Sequence, residues 1–161
     1  MYALLQRLNI LVESILGKVI TVMFAVMVAV SFCQVLTRYI EYPLYWSEEL
    51  ARYLAVWLTF LGASYALRRK ALALVEAILT VLKPHQKRIL AVFICLLVIL
   101  FCLFLCVYGT SLVLRMSRQT SPAMFLSMGY VYSSAPVSGA IMLLFTLEQL
   151  LDIFFKPNEE A

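Results

Sequence analysis

The stretch YWSEELARYLAVWLTFLGASYALRR, from Tyr45 to Arg69, has two carboxylates near its start, a long apolar run after them and two arginines at its end. A helix needs roughly 20 mainly apolar residues to cross a hydrocarbon core about 30 Å thick. Residues from about 48 to 68 have this length. The stretch therefore predicts a transmembrane helix whose charged residues lie near its ends.

The composition extends this prediction to the whole chain. Of 161 residues, 64% are hydrophobic and 14% are charged, and the mean hydropathy is +0.95. Such a chain has too little polar surface to cover a soluble domain of this size. The sequence indicates an integral membrane protein that forms one membrane domain, residues 1–161, with little mass outside the bilayer.

Three other runs are long and apolar enough to cross a membrane. Residues 19–37 and 89–114 contain no Asp, Glu, Lys or Arg, and a last run is interrupted only by Pro136 and weakly polar residues. We therefore predict an all-α integral membrane protein with four transmembrane helices. Their approximate limits are 17–39, 48–68, 88–114 and 130–154.

Two shorter segments have a different character. Residues 2–16 carry leucines and other apolar residues on one face at helical spacing, which predicts an interfacial amphipathic helix, and the alternative is that they extend the first membrane helix. Residues 71–82 are too short to span and end before Pro84. They predict a short interfacial or partly inserted helix, or a re-entrant segment.

The basic residues predict the orientation. With the N-terminus inside, the inner side holds nine of the 13 Lys and Arg residues, and the outer side holds four. Cytoplasmic loops carry an excess of positive charge, so both termini are expected in the cytoplasm. The four outer residues are Arg38, Arg52, Arg115 and Arg118.

The acids that open the second span suit a helix start at the membrane surface. We expect Ser47 to be the N-cap, with Glu48 and Glu49 in the first turn, where the helix dipole favours negative charge. Arg52 lies four residues after Glu48, in the favourable order for an ion pair. Trp46 belongs to an aromatic belt at the interface. Taken singly, these residues indicate an exposed helix cap.

One set of residues has a particular order and spacing: Gln34, Arg38, Tyr39, Pro43, Trp46, Ser47, Glu48, Glu49, Leu50, Arg52 and Gly62. Taken together, this set resembles the small membrane subunit (DctQ-like) of tripartite ATP-independent periplasmic (TRAP) transporters. Residues 119–150 are also similar to the last helix of that family and the loop before it. The turn after Arg69 departs from the family pattern, because Leu72 stands where His is usual and Val75-Glu76 replaces Val-Asp.

The resemblance implies a function. It implies a subunit of the bacterial inner membrane that forms a heterodimer with a large TRAP membrane subunit, expected as a separate chain. That partner would carry the sodium and substrate sites, and a periplasmic substrate-binding protein would deliver an organic acid such as a dicarboxylate, sialic acid or sugar acid. We predict that the family motif and the subunit interface include Gln34, Arg38, Trp46, Ser47, Glu48, Glu49, Arg52 and Gly62.

The chain carries little chemistry of its own. Its one histidine, His85, lies in a basic loop, so haem ligation by membrane histidines is excluded, and the four cysteines lack CxxC spacing and are interpreted as small buried hydrophobic residues. We expect no enzymatic activity, no cofactor or metal in this chain, and no nucleic-acid partner. Glu148 and Asp152 are interpreted as a solvated helix end.

Two other functions stay open from the residues alone. A stand-alone small transporter that couples to protons needs a carboxylate deep in a membrane helix, and the middle of each predicted span lacks one. An ion-independent facilitator would not need that carboxylate. A structural membrane anchor of an unrelated complex is the third possibility, and the identity of the partner would separate it from the others.

Overall fold

The computed structural model describes residues 2–40, 44–69 and 84–155, and it folds nearly all of them into helices. Four stretches of these residues are long and apolar enough to cross a membrane, which confirms the predicted all-α fold with four spans. The helices are α1 (Tyr2–Tyr39), α2 (Tyr45–Arg68), α3 (Pro84–Met116), α4 (Met128–Tyr132) and α5 (Ser134–Phe155).

Helix α1 runs without a break from Tyr2 to Tyr39. At 1.5 Å per residue it is about 57 Å long, well beyond the thickness of a hydrocarbon core. Residues 2–16 are therefore helical and continuous with the first predicted span. Where they lie relative to a bilayer stays a prediction, and the predicted helix at 71–82 lies outside the described residues.

The last span is divided into α4 and α5 by a single interruption. Pro136 has no backbone N–H, so the carbonyl of Tyr132 lacks its usual intrahelical donor. On either side the ladder is intact, since Ser133 N donates to Gly129 O at 2.9 Å and Val137 N donates to Ser133 O at 3.1 Å. The interruption therefore lies at Ser133, one turn before Pro136, which is in the first turn of α5.

The helices pack in the spatial order α1, α2, α5, α3, with α5 and α2 in the middle. Leu16, Leu61 and Phe145 are buried where α1, α2 and α5 meet. Helices α3 and α5 approach closely because Gly109 has no side chain. A Cβ there would lie 2.9 Å from Cδ of Pro136.

Large apolar side chains cover much of the outer surface of α1 and α3, for example Phe24, Phe32 and Leu100. In water such a surface would favour aggregation. In a bilayer it contacts lipid or another membrane helix, and packing between membrane helices depends on close fit instead of burial from water. The fold therefore leaves two helices with faces available to lipid or a partner.

Candidate functional site

The charged and polar side chains that join elements of the fold form two clusters at opposite ends of α2. We name them the Glu49 end (Gln34, Glu48, Glu49 and the loop 119–127) and the Arg68 end (Asn9, Glu13, Arg68, Arg69 and Glu148). Glu49 and Arg68 are separated by about 28 Å along the helix axis at 1.5 Å per residue. The two clusters therefore lie about one hydrocarbon thickness apart.

At the Glu49 end, the carboxylate of Glu49 binds the main chain of the loop between α3 and α4. Ala123 N donates to Oε1 at 3.2 Å and Met124 N donates to Oε2 at 3.0 Å. The side chain of Ser121 also hydrogen-bonds to this carboxylate. Hydrogen bonds to a charged acceptor are stronger than neutral ones. One side chain of α2 thus orders a loop that lies more than 70 positions later in the sequence.

The loop itself is compact. Its ends are joined by Met128 N donating to Gln119 O at 2.8 Å, and Ser121 N donates to Leu126 O at 2.9 Å. At its tip Phe125 has a φ of 53°, a left-handed conformation that costs energy for a residue with a side chain. The Phe125 ring is 81% exposed. The contacts with Glu49 help to hold this turn in place.

Glu48 has a different partner from the predicted one. Its Oε1 accepts a hydrogen bond from Nε2 of Gln34 at 3.2 Å, which joins the end of α1 to the start of α2. The predicted ion pair between Glu48 and Arg52 is absent from the described ion pairs. Arg52 instead has a favourable electrostatic interaction with Glu49. The i, i+4 spacing is compatible with a pair between Glu48 and Arg52, but Gln34 on the neighbouring helix α1 supplies a competing donor.

The predicted N-cap was also wrong. Helix α2 begins at Tyr45, and its N-cap is Leu44, which has an extended conformation and no side-chain cap. Ser47 lies inside the first turn, where its hydroxyl donates to Leu44 O at 2.6 Å. Because the helix begins a turn earlier than expected, the hydroxyl of Ser47 meets a carbonyl instead of an unpaired N–H group. Its side chain is buried, so it serves packing at this turn.

The remaining predicted residues lie at the surface of the chain. Arg38 is exposed in the last turn of α1, and Trp46 is exposed at the start of α2. A Cβ added to Gly62 would meet nothing within 4 Å, so this glycine does not contact a neighbouring helix within the described residues. By contrast, Ser64, two residues later, is buried and its hydroxyl lies 3.4 Å from Ser138 O on α5. The structure therefore brings Gln34, Glu48 and Glu49 into contacts and leaves Arg38, Trp46 and Gly62 on the outside.

Two aromatic side chains extend the Glu49 end along α2. Nε1 of Trp57 donates to Tyr130 O at 3.1 Å, and the Tyr53 hydroxyl donates to Sδ of Met128 at 3.7 Å. Both acceptors belong to α4. The part of α2 from Glu49 to Trp57 is thus joined to the loop by Glu49 and to α4 by these aromatic residues.

The Arg68 end contains a network of ion pairs between three helices. Arg68 on α2 binds Glu148 on α5, with Nη1 and Oε2 separated by 2.8 Å, and its Nε lies 3.3 Å from Oε2 of Glu13 on α1. Arg69 completes the network, with Nε 2.8 Å from Oε1 of Glu13. The guanidinium of Arg68 also lies over the ring of Phe145, 5.6 Å from its centre. A single arginine therefore bridges two carboxylates from two helices.

Glu148 is the most deeply placed member of this network. It is 2% exposed, and Asn9, which is 1% exposed, donates from its Nδ2 to Oε2 of Glu148. The interpretation of Glu148 as a solvated helix end was wrong, because α1 and α2 cover it. A buried carboxylate is tolerated only when it is paired and hydrogen-bonded. Arg68 and Asn9 satisfy both conditions.

The ion-pair network at the Arg68 end was not predicted from the sequence. One signal was present: Asn9 and Glu13 follow each other at i, i+4 and so share one face of α1. A second was that Glu148 is the first charged residue after a run from 119 to 147 without any. Neither signal identifies the residues that Glu148 binds. Arg68 is 80 positions away from Glu148 in the sequence, and Asn9 is 139 positions away.

Metal ions in proteins are held by groupings of side chains such as His, Cys, Asp and Glu. Among the described residues, no group of three or more of these side chains is placed to hold a metal.

All four cysteines are free, and Cys95 and Cys102 are buried as expected. Cys33 is exposed, contrary to the interpretation as a buried residue, because no helix of the described residues covers the face of α1 that carries it.

Comparisons with known proteins identify the family of this chain. Residues 27–156 match the family model described as tripartite ATP-independent periplasmic transporters, DctQ component. The chain is 28% identical over 157 residues to the sialic acid TRAP transporter permease protein SiaT of Haemophilus influenzae, covering 96% of this chain and 24% of that protein. It is 27% identical over 110 residues to a second protein of that organism, named as a TRAP transporter small permease protein, covering 68% of each. The chain thus spans about a quarter of the length of SiaT.

Proposed function

The chain belongs to the DctQ family of tripartite ATP-independent periplasmic transporters and is a small TRAP transporter subunit, and we propose that it binds and stabilises a large permease subunit that moves the substrate. In this proposal the large subunit holds the sodium sites and couples uptake to sodium. A periplasmic binding protein delivers an organic acid of the class that includes dicarboxylates, sialic acid and sugar acids. The complex lies in the inner membrane of a bacterium.

The observation that carries the proposal is the position of the charges. The ion pairs of the described residues lie at the Arg68 end, and Glu48 and Glu49 lie at the opposite end of α2. Between these levels the spans contain no Asp, Glu, Lys or Arg in residues 19–37, 53–67, 89–114 and 119–147. Pathways for coupled transport are usually marked by ionisable residues within the membrane. A supporting role, without catalysis or solute translocation by this chain, fits that distribution.

The exposed surface of the chain is suited to contact with a partner protein in the membrane. The exposed apolar faces of α1 and α3 offer large packing areas. Gly62, which has open space around it, would let the backbone of a partner helix approach α2 closely. Glu49 is already bound to the loop 119–127, so its proposed part in assembly is to fix the shape of this loop. Gln34 and Glu48 in the same way fix the position of α1 beside α2.

Uptake measurements test this proposal. In proteoliposomes we expect this chain alone to move no organic acid, and uptake to require the large subunit, a loaded binding protein and an inward sodium gradient. In cells, deletion of only this chain should abolish uptake, and re-expression should restore it. The level of the large subunit is measured by immunoblot as a control. Normal uptake in the deletion strain, or uptake by this chain alone, would overturn the proposal.

The orientation is tested separately by cysteine labelling. In a cysteine-free background we expect a single Cys at position 44, at the Glu49 end, to react with an impermeant thiol reagent added to intact cells. A single Cys at position 86 should be protected, because nine of the 13 basic residues are placed on that side. Labelling of both in permeabilised cells is the control. The reverse pattern would place the Arg68 end outside.

A further inference from the structure

A cleft of about 640 Å³ opens on the surface between α1 and α2, next to the Arg68 end. Its lining on α1 extends from residue 10 to residue 22, which is about 18 Å along the helix at 1.5 Å per residue. The side chains that define its chemistry are Glu13, Ser14, Lys18, Val22, Tyr65 and Arg69.

The charged side chains of the cleft are confined to one part of it. Ile10, Glu13 and Arg69 lie at the end nearest the Arg68 network, and the uncharged Thr21 and Val22 lie at the opposite end. Lys18 is between them, and directly after it begins the run of residues 19–37 that contains no charged side chain. The cleft therefore crosses the level at which a charged boundary gives way to a hydrocarbon core. Its shape and polarity suit a molecule with a charged head and an apolar chain.

The charges in the cleft favour an anion. The carboxylate of Glu13 is already engaged, with Oε1 2.8 Å from Nε of Arg69 and Oε2 3.3 Å from Nε of Arg68. Lys18 is exposed and forms no ion pair within the described part of the chain. Arg69 is 60% exposed and has guanidinium donors beyond the one bound to Glu13. Of the three charged lining residues, two are cations, so the cleft carries an excess of positive charge.

Hydroxyl groups add donors at the same level. The Tyr65 side chain lies against Gly17, where an added Cβ would be 3.3 Å from its ring and 3.6 Å from its hydroxyl oxygen. That hydroxyl forms no hydrogen bond with another described residue, and Arg69 lies over the same ring at 5.2 Å. Ser14 is one turn before Lys18 on the same face of α1. These groups surround a space in which a phosphate can accept several hydrogen bonds.

We propose that this cleft is a binding site for an anionic phospholipid. Lys18 and Arg69 bind the phosphodiester, the hydroxyls of Tyr65 and Ser14 donate to its oxygens, and an acyl chain lies along Val22. A zwitterionic lipid with an ammonium group is disfavoured, because Glu13 is the carboxylate among the lining residues and it is shared by two arginines. This inference does not depend on the transport function.

Native mass spectrometry of the full chain tests the proposal. The chain, alone and with its large subunit, is equilibrated with equal amounts of phosphatidylglycerol and phosphatidylethanolamine in mild detergent, and bound lipid is identified by mass. We expect one retained phosphatidylglycerol. Lys18→Gln should lower its retention by about fivefold, the effect of one basic residue near an anionic lipid surface. The thermal stability of this variant should match the original, since Lys18 forms no ion pair with another residue that the structure describes.

Arg7→Gln is the matched control. Arg7 is exposed on the same helix and lies outside the cleft, so the variant removes the same charge and should retain phosphatidylglycerol normally. Several results would overturn the proposal: unchanged retention in Lys18→Gln, an equal loss in Arg7→Gln, or equal retention of phosphatidylethanolamine. Crosslinking of a Cys at position 14 to the large subunit in the complex would also overturn it, because a protein partner would then cover the cleft.

Discussion

The two ends of α2 both hold carboxylates, but they use them in different ways. At the Arg68 end, Glu148 is buried and bound to side chains, namely Arg68 and Asn9 from two other helices. At the Glu49 end, Glu49 is half-buried and binds the main chain of a loop. Side-chain pairs can join helices that are already formed, whereas a side-chain acceptor such as Glu49 is needed where a loop has no regular structure to satisfy its own main-chain N–H groups.

The difference also predicts how each end responds to mutation. A buried ion pair contributes little over a well-packed apolar core, yet removal of one partner is costly because the other charge stays buried. At the Glu49 end, water can replace a lost acceptor because the site is partly open. The Arg68 end should therefore control the stability of the bundle, and the Glu49 end should control the order of one loop.

The largest effect is expected for Glu148→Gln. This variant keeps the size of the side chain but leaves Arg68 with Glu13 as its remaining carboxylate partner in the network. We expect the free energy of unfolding to fall by about 3 kcal/mol. This is at the lower end of the cost of breaking a buried ion pair, because Arg68 is partly exposed. Denaturant titration of the purified chain in mild detergent measures it. A loss as small as that of Glu48→Gln would remove the contrast between the two ends.

An intermediate and local effect is expected for Glu49→Gln. The neutral amide has one acceptor oxygen instead of two, so the N–H groups of Ala123 and Met124 cannot both keep their bonds. We expect several-fold faster hydrogen exchange at these two amides, with little change in α3 or α5. Hydrogen–deuterium exchange read by mass spectrometry measures both regions in one experiment. Uniform acceleration across the helices would show that Glu49 stabilises the whole bundle instead of one loop.

The smallest effect is expected for Glu48→Gln. Glu48 is exposed, and its partner Gln34 carries no charge. Exposed polar pairs of this kind contribute about 0.5 kcal/mol or less. A double-mutant cycle with Gln34→Ala should give a coupling energy within that limit. A coupling above about 1 kcal/mol would mean that the contact between Gln34 and Glu48 joins α1 and α2 more strongly than an exposed polar pair does.

Much of the fold was predictable from the sequence because it depends on local properties. The lengths of apolar runs and the absence of charges within them predict four spans, but the division of the last span at Ser133 was not predicted. Exact helix starts were less predictable, as α2 shows. Whether Leu44 or Ser47 precedes the helix depends on how the chain enters it from the preceding loop, and the identity of Ser47 as a good capping residue did not decide this.

The candidate site was predicted in part. Gln34, Glu48 and Glu49 were selected together and do join elements of the fold, but their partners were not foreseen. The i, i+4 rule favoured Arg52 for Glu48 because it considers one isolated helix. In the folded chain the end of α1 lies beside the start of α2, and Gln34 supplies the donor.

The sequence by itself determined that this chain is a four-span helical membrane protein with charges outside its long apolar runs, because run length and charge position are properties of each segment alone. The tertiary structure decided which of these charges are buried and what they bind. Glu49 meets amides 74 and 75 residues away, and Glu148 meets Asn9 across 139 residues. Such contacts depend on the order and tilt of packed helices, which no single segment encodes.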